Sequence, residues 1–211
     1  MIKAILFDLD GTLLDTNELI YESFKYTFNK CFNLKPSKGE ITSLYGMPLE
    51  NSLIDYCKDE EELKRAIQTY RNYNEKIHDN MCFPFKGVEE LLINLKEKDI
   101  KIGIVTSKRE ILAKKGMDIA GIIKYMDIIV TPECTKEHKP KGEPALYALK
   151  NLNVKPEEAI MVGDSHFDLL CGKNAGCKTC GVKYTALDIK KLEEVNPDYF
   201  VESPMEILNL L

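Results

Sequence analysis

Short apolar runs along this chain alternate with longer stretches of helical period. Ala4–Phe7, Lys101–Val105, Ile128–Val130, Ala159–Val162 and Thr179–Val182 have the length and apolar content of buried strands, and Tyr199–Val201 adds a sixth. Between the later runs, Val88, Leu91, Leu92 and Leu95 recur at i, i+3, i+4 and i+7. Ile111–Ile119 and Ala145–Leu152 follow the same period. Strand, amphipathic helix and strand in repetition predict right-handed crossovers and a parallel sheet. The strands are nearly continuously apolar, so both faces of that sheet are expected to be covered. The predicted fold class is α/β, built on a Rossmann-like parallel sheet.

Residues 17–80 break the alternation. They carry long helical patterns and no convincing strand. Leu19, Phe24, Tyr26, Thr27 and Phe28 suggest one helix. Glu60–Asn80 suggests another, with Leu63, Ile67, Tyr70 and Ile77 on one side. Pro36, Gly39, Gly46 and Pro48 punctuate the middle. The expected division is a core of residues 1–14 and 84–211, with a helical insert of residues 15–83 after the first strand.

Composition narrows the partners. The chain has 211 residues and a net charge of −5, from 29 Lys and Arg against 34 Asp and Glu. No broad basic surface follows from that balance, so neither nucleic acid nor an anionic membrane is an expected partner. The apolar run at residues 2–9 ends in acids and is too short for the core of a secretion signal. No stretch approaches the roughly 18 apolar residues of a membrane span. The expected location is the cytoplasm. The seven cysteines are odd in number and scattered, which fits reduced thiols. Cys177-Lys-Thr-Cys180 lacks a second pair and lies in a segment that alternates like a strand, so buried strand cysteines are expected there. Cys134 and His138 have no further soft ligand nearby in sequence.

The chemistry gathers at strand ends. Asp8 and Asp10 close the first strand, followed by Gly11 and Thr12. Thr106, Ser107 and Lys108 follow the second strand, and Asp164 the fourth, with Asp168 in the next turn. Lys139 lies in the lysine-rich KEHKPKGEP loop after the third strand. Singly, these residues read equally as turn residues, helix caps or solvated charges. Together they fall on the carboxyl edge of the sheet, where open α/β sheets bind ligands. Clustered carboxylates repel one another. A hard, oxygen-seeking cation such as Mg²⁺ relieves that repulsion and keeps coordination sites for a phosphate.

DLDGT, the strand ending at Thr106, Lys139 in KPKGEP, and GDSHFD together resemble, in order and spacing, the four motifs of the haloacid dehalogenase superfamily. The resemblance spans the whole chain. It implies that the insert is a small helical cap domain and that the reaction passes through a phosphoaspartate. Asp8 would be the nucleophile, and Asp10 the acid and then the base. Mg²⁺ would be held by Asp8, the backbone carbonyl of Asp10, and Asp164. Thr106 and Lys139 would contact the transferring phosphoryl group, and Asp168 would position Lys139. Gly11 and Thr12 would turn backbone N–H groups towards phosphate oxygens. The dehalogenases of the superfamily lack an acid at the position of Asp10. The related hexose-phosphate mutases usually carry a histidine where this chain has Ile20.

Within the superfamily, DGTLLDTNELI, YRNYNEKIHD, GIVTSK, GKNAGCKTCGV and NPDYF resemble the pyrophosphatases of the phosphoglycolate phosphatase branch. The resemblance implies hydrolysis of a small phosphorylated metabolite, inorganic pyrophosphate before phosphoglycolate or another phosphomonoester. A different class, a non-enzymatic phospho-accepting or binding protein, uses a similar set of residues. Receiver domains, however, place their acid pair ahead of the acceptor strand and lack an insert after the first strand. The leaving group depends on the cap, and the Gly46-Met47-Pro48 turn is the expected point of approach. The insert carries nine Lys and Arg against twelve Asp and Glu over residues 15–82, so charge for a second phosphate must be local. Ser107, Lys108 and Gly46 are the candidate substrate contacts, with Arg109, Arg71 and Lys76 as further cations. A monomer or weak dimer is expected.

Overall fold

The computed structural model describes all 211 residues. Eight strands are present: β1 Ala4–Phe7, β2 Leu14–Asp15, β3 Phe83–Pro84, β4 Lys101–Val105, β5 Ile128–Val130, β6 Ala159–Gly163, β7 Lys178–Val182 and β8 Tyr199–Val201. Six of them form one parallel sheet in the order β5-β4-β1-β6-β7-β8. The chain leaves β1 in one direction towards β4 and in the other towards β6. The carboxyl ends of β1, β4 and β6 therefore lie side by side at the point where strand order reverses.

Nine helices accompany the strands: α1 Asn17–Thr27, α2 Lys38–Thr42, α3 Leu49–Leu53, α4 Glu60–Ile77, α5 Val88–Glu97, α6 Glu110–Ile119, α7 Glu143–Leu152, α8 His166–Ala175 and α9 Ile189–Glu194. Alternate strand residues feed two apolar layers. Ile5, Phe7, Ile102, Ile104, Ile160 and Val162 pack with Leu91, Leu92 and Leu95 of α5 and with Met117 of α6. Ala4, Leu6, Ala159 and Met161 pack on the other side with Ala145, Ala148 and Leu149 of α7 and Cys171 of α8. Both faces are covered, which is why the strands carry so few polar residues. The same alternation separates the CxxC cysteines. Cys180 belongs to the first layer and Cys177 to the second, and all seven thiols are free.

Residues 17–80 contribute no strand to this sheet and form a third apolar cluster of Phe24, Phe28, Ile41, Tyr45, Leu53, Leu63 and Ala66. α1 lies along α4, and Phe24 meets Tyr70 with ring centroids 4.8 Å apart. Tyr26, unlike Phe24, is exposed, and it stacks on Tyr73 at 4.0 Å. The helical period explains the difference: Leu19, Ser23, Phe24 and Thr27 make the inward stripe, and Tyr26 falls outside it. The hydroxyls of Ser23 and Thr27 reach buried positions because they return to the carbonyls of Leu19 and Ser23 at 2.7 Å.

The sequence reading missed β2 and β3. They pair antiparallel, Leu14 with Pro84 and Asp15 with Phe83, and so bring the two ends of the insert together beside β1. Two-residue strands show no alternation to read. No helix is long and apolar enough to cross a membrane.

Phe28 is buried to within 1% in the centre of the insert's own cluster. Phe28→Ala is expected to lower unfolding free energy by about 3–5 kcal/mol. Urea denaturation followed by circular dichroism measures it.

Candidate active site

Local structure at each strand end places the polar groups. β1 passes directly into Asp8, whose N–H still donates to the Val162 carbonyl of β6 at 2.9 Å. The chain then turns sharply through Gly11 at φ +83°. A Cβ on Gly11 would lie 2.2 Å from Oδ2 of Asp164, so this glycine serves both the turn and the close approach of the next strand end. Asp164 follows β6 immediately. Ser165 then caps α8: its hydroxyl accepts from the Asp168 N–H at 3.4 Å, while Oδ2 of Asp168 accepts from Ser165 N at 2.9 Å and Oγ at 2.6 Å.

Lys139 enters from the loop after β5. Its ammonium donates to Oδ1 of Asp8 at 2.5 Å, Oδ1 of Asp168 at 2.5 Å and the Val105 carbonyl at 3.1 Å. Asp168 thus acts as a helix-capping residue and as a partner of Lys139 at once. Asp8, Lys139, Asp164 and Asp168 are all at least nine-tenths buried. Burial pushes the Asp8 carboxyl up to about 7; Lys139 opposes the shift, and Asp168 and Asp10 add to it. Asp164 is raised by burial and then by its neighbours Asp168 and Asp8. Burial works against the Lys139 charge, but Asp168 and Asp8 outweigh it and raise its pKa.

Charge balance sets what the cluster could hold. Asp8, Asp164 and Asp168 offer oxygens within 4.8 Å of one another, and the single ammonium among them, Lys139, pairs with Asp8 and Asp168 only. With all three ionised, two negative charges are left without a counter-charge in a buried, all-oxygen site, which is why burial and mutual repulsion raise Asp8 and Asp164. A divalent hard cation fits both the charge and the donor chemistry. Both oxygens of Asp168 are already engaged, one by Lys139 and one by Ser165, so Asp8 and Asp164 are the acids free to serve it.

Asp10 stands apart from that cluster. Its Oδ1 accepts from the Thr16 hydroxyl at 2.7 Å and from the Lys108 ammonium at 2.8 Å. Thr106 is buried, and its Oγ1 accepts the N–H of Lys108 at 3.1 Å, which fixes the start of the loop that carries that lysine. A cavity of about 370 Å³ lies between the strand ends and the insert. Asp8, Asp10, Thr106, Ser107, Lys108 and Lys139 border it from the core. The insert supplies Gly46, Ile20, Tyr70 and Arg71 among others. Gly46 has φ +77°, and a Cβ there would lie 2.9 Å from Cβ of Ser165, so this turn of the insert rests on the site's own capping residue.

Two expectations need correction. Gly11 and Thr12 do not turn their amides towards the cavity: Gly11 N–H donates to the Leu14 carbonyl at 2.8 Å and Thr12 N–H to the Leu9 carbonyl at 3.4 Å. Both amides close the turn after β1. Arg109 borders the cavity but is exposed, with Glu133 at 3.9 Å, whereas Lys76 does not border it. Sequence reasoning also missed Thr16 and Thr185. Thr16 occupies the N-cap position of α1 but makes no capping bond, its hydroxyl being spent on Asp10. Thr185 donates to Asp164 from a loop with no motif.

The sequence matches the haloacid dehalogenase-like hydrolase family over residues 5–182. It is 54% identical over 211 residues to a protein of Clostridium perfringens named "Putative pyrophosphatase PpaX", covering 100% of this chain and 98% of that one. It is 37% identical over 210 residues to "Pyrophosphatase PpaX" of Oceanobacillus iheyensis, covering 100% of this chain and 97% of that one. The fold superposes with a TM-score of 0.88 on a haloacid dehalogenase-like hydrolase of Streptococcus pneumoniae, at 29% identity and covering 99% of this chain and 98% of that one. The chain therefore belongs to the haloacid dehalogenase-like hydrolases and is a phosphatase of that superfamily. Membership removes the non-enzymatic phospho-accepting alternative.

Gly11→Ala is expected to displace the Asp164 carboxylate and cut phosphatase turnover by about 100-fold, since misplacing a reacting group by an ångström costs that order. Steady-state hydrolysis of p-nitrophenyl phosphate, alongside thermal melting, checks it.

Proposed function

We propose that this protein is a Mg²⁺-dependent phosphohydrolase acting through a phosphoaspartate on Asp8, with inorganic pyrophosphate as its substrate. The observation that carries the reading is the two-charge deficit of the buried cluster, three carboxylates against one ammonium. Such a site favours a divalent cation together with a phosphoryl group. The names of the two relatives support pyrophosphate as the substrate.

Mg²⁺ would be held by Asp8, the Asp10 carbonyl and Asp164, and when bound would offset charge on the phosphoryl oxygens. Lys139 holds Asp8 at Oδ1 and offsets part of what burial costs its charge. A carboxylate oxygen of Asp8 attacks phosphorus; the new O–P bond forms as the bond to the leaving oxygen breaks. Thr106 donates its hydroxyl proton to the transferring group, because its oxygen already accepts the Lys108 N–H. Asp10 protonates a leaving alkoxide, then takes a proton from the water that cleaves the acyl phosphate. A phosphate leaving group needs less of that proton than an alkoxide does. Lys108, within 2.8 Å of Asp10 on the cavity wall, supplies the local positive charge for the second phosphate. The insert acts as the cap, with Gly46 at its point of contact, and excludes water on closing.

Phosphate release from matched concentrations of pyrophosphate, phosphoglycolate and p-nitrophenyl phosphate tests the reading. The expected result is a kcat/KM for pyrophosphate at least about tenfold above the others, abolished by EDTA and restored by Mg²⁺. Lys108→Met should erase most of that preference. A monoester ahead of pyrophosphate would overturn the substrate. Asp8→Asn is expected to lower turnover on every substrate by about 10⁴-fold or more with melting intact. A variant keeping a tenth of wild-type activity would remove Asp8 as nucleophile.

A further inference from the structure

The loop after β7 carries a polar contact that the proposed mechanism leaves unexplained. β7 runs beside β6, with Gly181 in register with Gly163, so this loop begins level with Asp164. The Thr185 hydroxyl oxygen lies 2.9 Å from Oδ2 of Asp164. The same oxygen accepts the N–H of Leu187 at 2.9 Å. A hydroxyl has one proton. With Leu187 N–H pointing at its lone pair, that proton is directed at the carboxylate. No other side chain bonds Asp164.

Oδ2 is therefore pinned from two sides. Thr185 donates to it, and Gly11 leaves room for it where a Cβ would lie at 2.2 Å. Oδ1 accepts from no side chain and stays free for a ligand of the cluster. The loop itself is anchored at both ends. The Tyr184 hydroxyl donates to the Thr12 carbonyl at 3.1 Å, and its ring packs on Phe85 at 5.0 Å. Leu187 packs against the apolar cluster of the insert. A side chain held this firmly, spending its only proton on a buried carboxylate, acts on the orientation of that carboxylate.

We infer that Thr185 is a positioning residue for the metal site, fixing Oδ2 of Asp164 so that Oδ1 is presented to the divalent cation. This rests on the reading of Asp164 as a metal ligand. The alternative is that Thr185 only closes the Thr185–Leu187 turn, in which case metal affinity does not depend on its hydroxyl.

Mn²⁺ binding to the full chain, followed by electron paramagnetic resonance without substrate, separates the two. Thr185→Val keeps the shape and removes the proton donor. It is expected to raise the Mn²⁺ dissociation constant by about 10- to 100-fold, as loss of an outer hydrogen bond to a metal ligand does. Thr185→Ser should restore affinity to within about threefold. Thr185→Ala, which cannot clash, should repeat the loss and covers the case of a Val variant that fails to fold. In turnover, the Val variant should need more Mg²⁺ for half-activation while approaching wild-type kcat at saturating metal. Unchanged Mn²⁺ affinity in Thr185→Val and Thr185→Ala, with wild type binding normally, overturns the role of Thr185 alone. A wild-type protein that binds no Mn²⁺ overturns the metal reading of Asp164 and this inference with it.

Discussion

The Lys139 ammonium is the contact on which the arrangement of the site depends. It joins Asp8 at the end of β1 to Asp168 in the first turn of α8 and to the Val105 carbonyl at the end of β4. Three neighbouring strands are thereby tied at one edge by a single buried cation. Burying that charge is unfavourable by several kcal/mol unless its partners are close and fully bonded. Here they are, with two contacts at 2.5 Å and a carbonyl for a third. The same geometry leaves the carboxylates in excess. A cluster satisfied in its hydrogen bonds but short of positive charge can fold as it stands and has the donor chemistry to hold a divalent cation.

Parallel topology made this cluster possible. β1 and β6 are adjacent, so residues that follow Phe7 and Val162 in sequence become neighbours in space. Asp8 and Asp164 meet for that reason, although their numbers differ by 156. Asp168 illustrates why weighing a capping role against a functional one is a false choice at such sites. Its Oδ2 completes the capping box with Ser165 and its Oδ1 holds Lys139. A helix that begins at a strand end needs an N-terminal cap, and a buried lysine needs an acid. One residue meets both needs.

The sheet was legible because each strand is a compact apolar run bounded by polar residues: four of its six members matched to the residue, and the other two, Ala159–Gly163 and Lys178–Val182, differ from the expected runs by one residue each. The strand-end acids and Lys139 were legible only as a group: each alone reads as a turn residue, a cap or a solvated charge, but together they fall on one edge of the predicted sheet. What escaped has a common physical character. β2 and β3 are two residues long, too short to leave a pattern. The backbone amides of Gly11 and Thr12 are committed to a turn whose closure depends on Leu9 and Leu14, and composition does not reveal that. Thr16 and Thr185 look like ordinary loop hydroxyls. Their partners lie 6 and 21 residues away, and only the folded chain shows that the hydroxyls point there.

The position of Asp10 links the insert to the chemistry. Its Oδ1 is shared by Lys108, from the loop after β4, and by Thr16, at the entry to α1. Thr16 directly follows the β2 strand that, with β3, joins the insert to the core. Any swing of the insert about that two-stranded ribbon therefore moves, or breaks, one of the two bonds on Asp10, while Lys108 stays with the sheet. Asp8 feels no such coupling, because its partners Lys139 and the β6 backbone belong to the core. In the proposed mechanism, the nucleophile Asp8 is thus held by the core and the proton-transfer group Asp10 by the joint between core and insert. That division suits a reaction whose first step needs a fixed carboxylate and whose second needs a carboxylate that responds to closure.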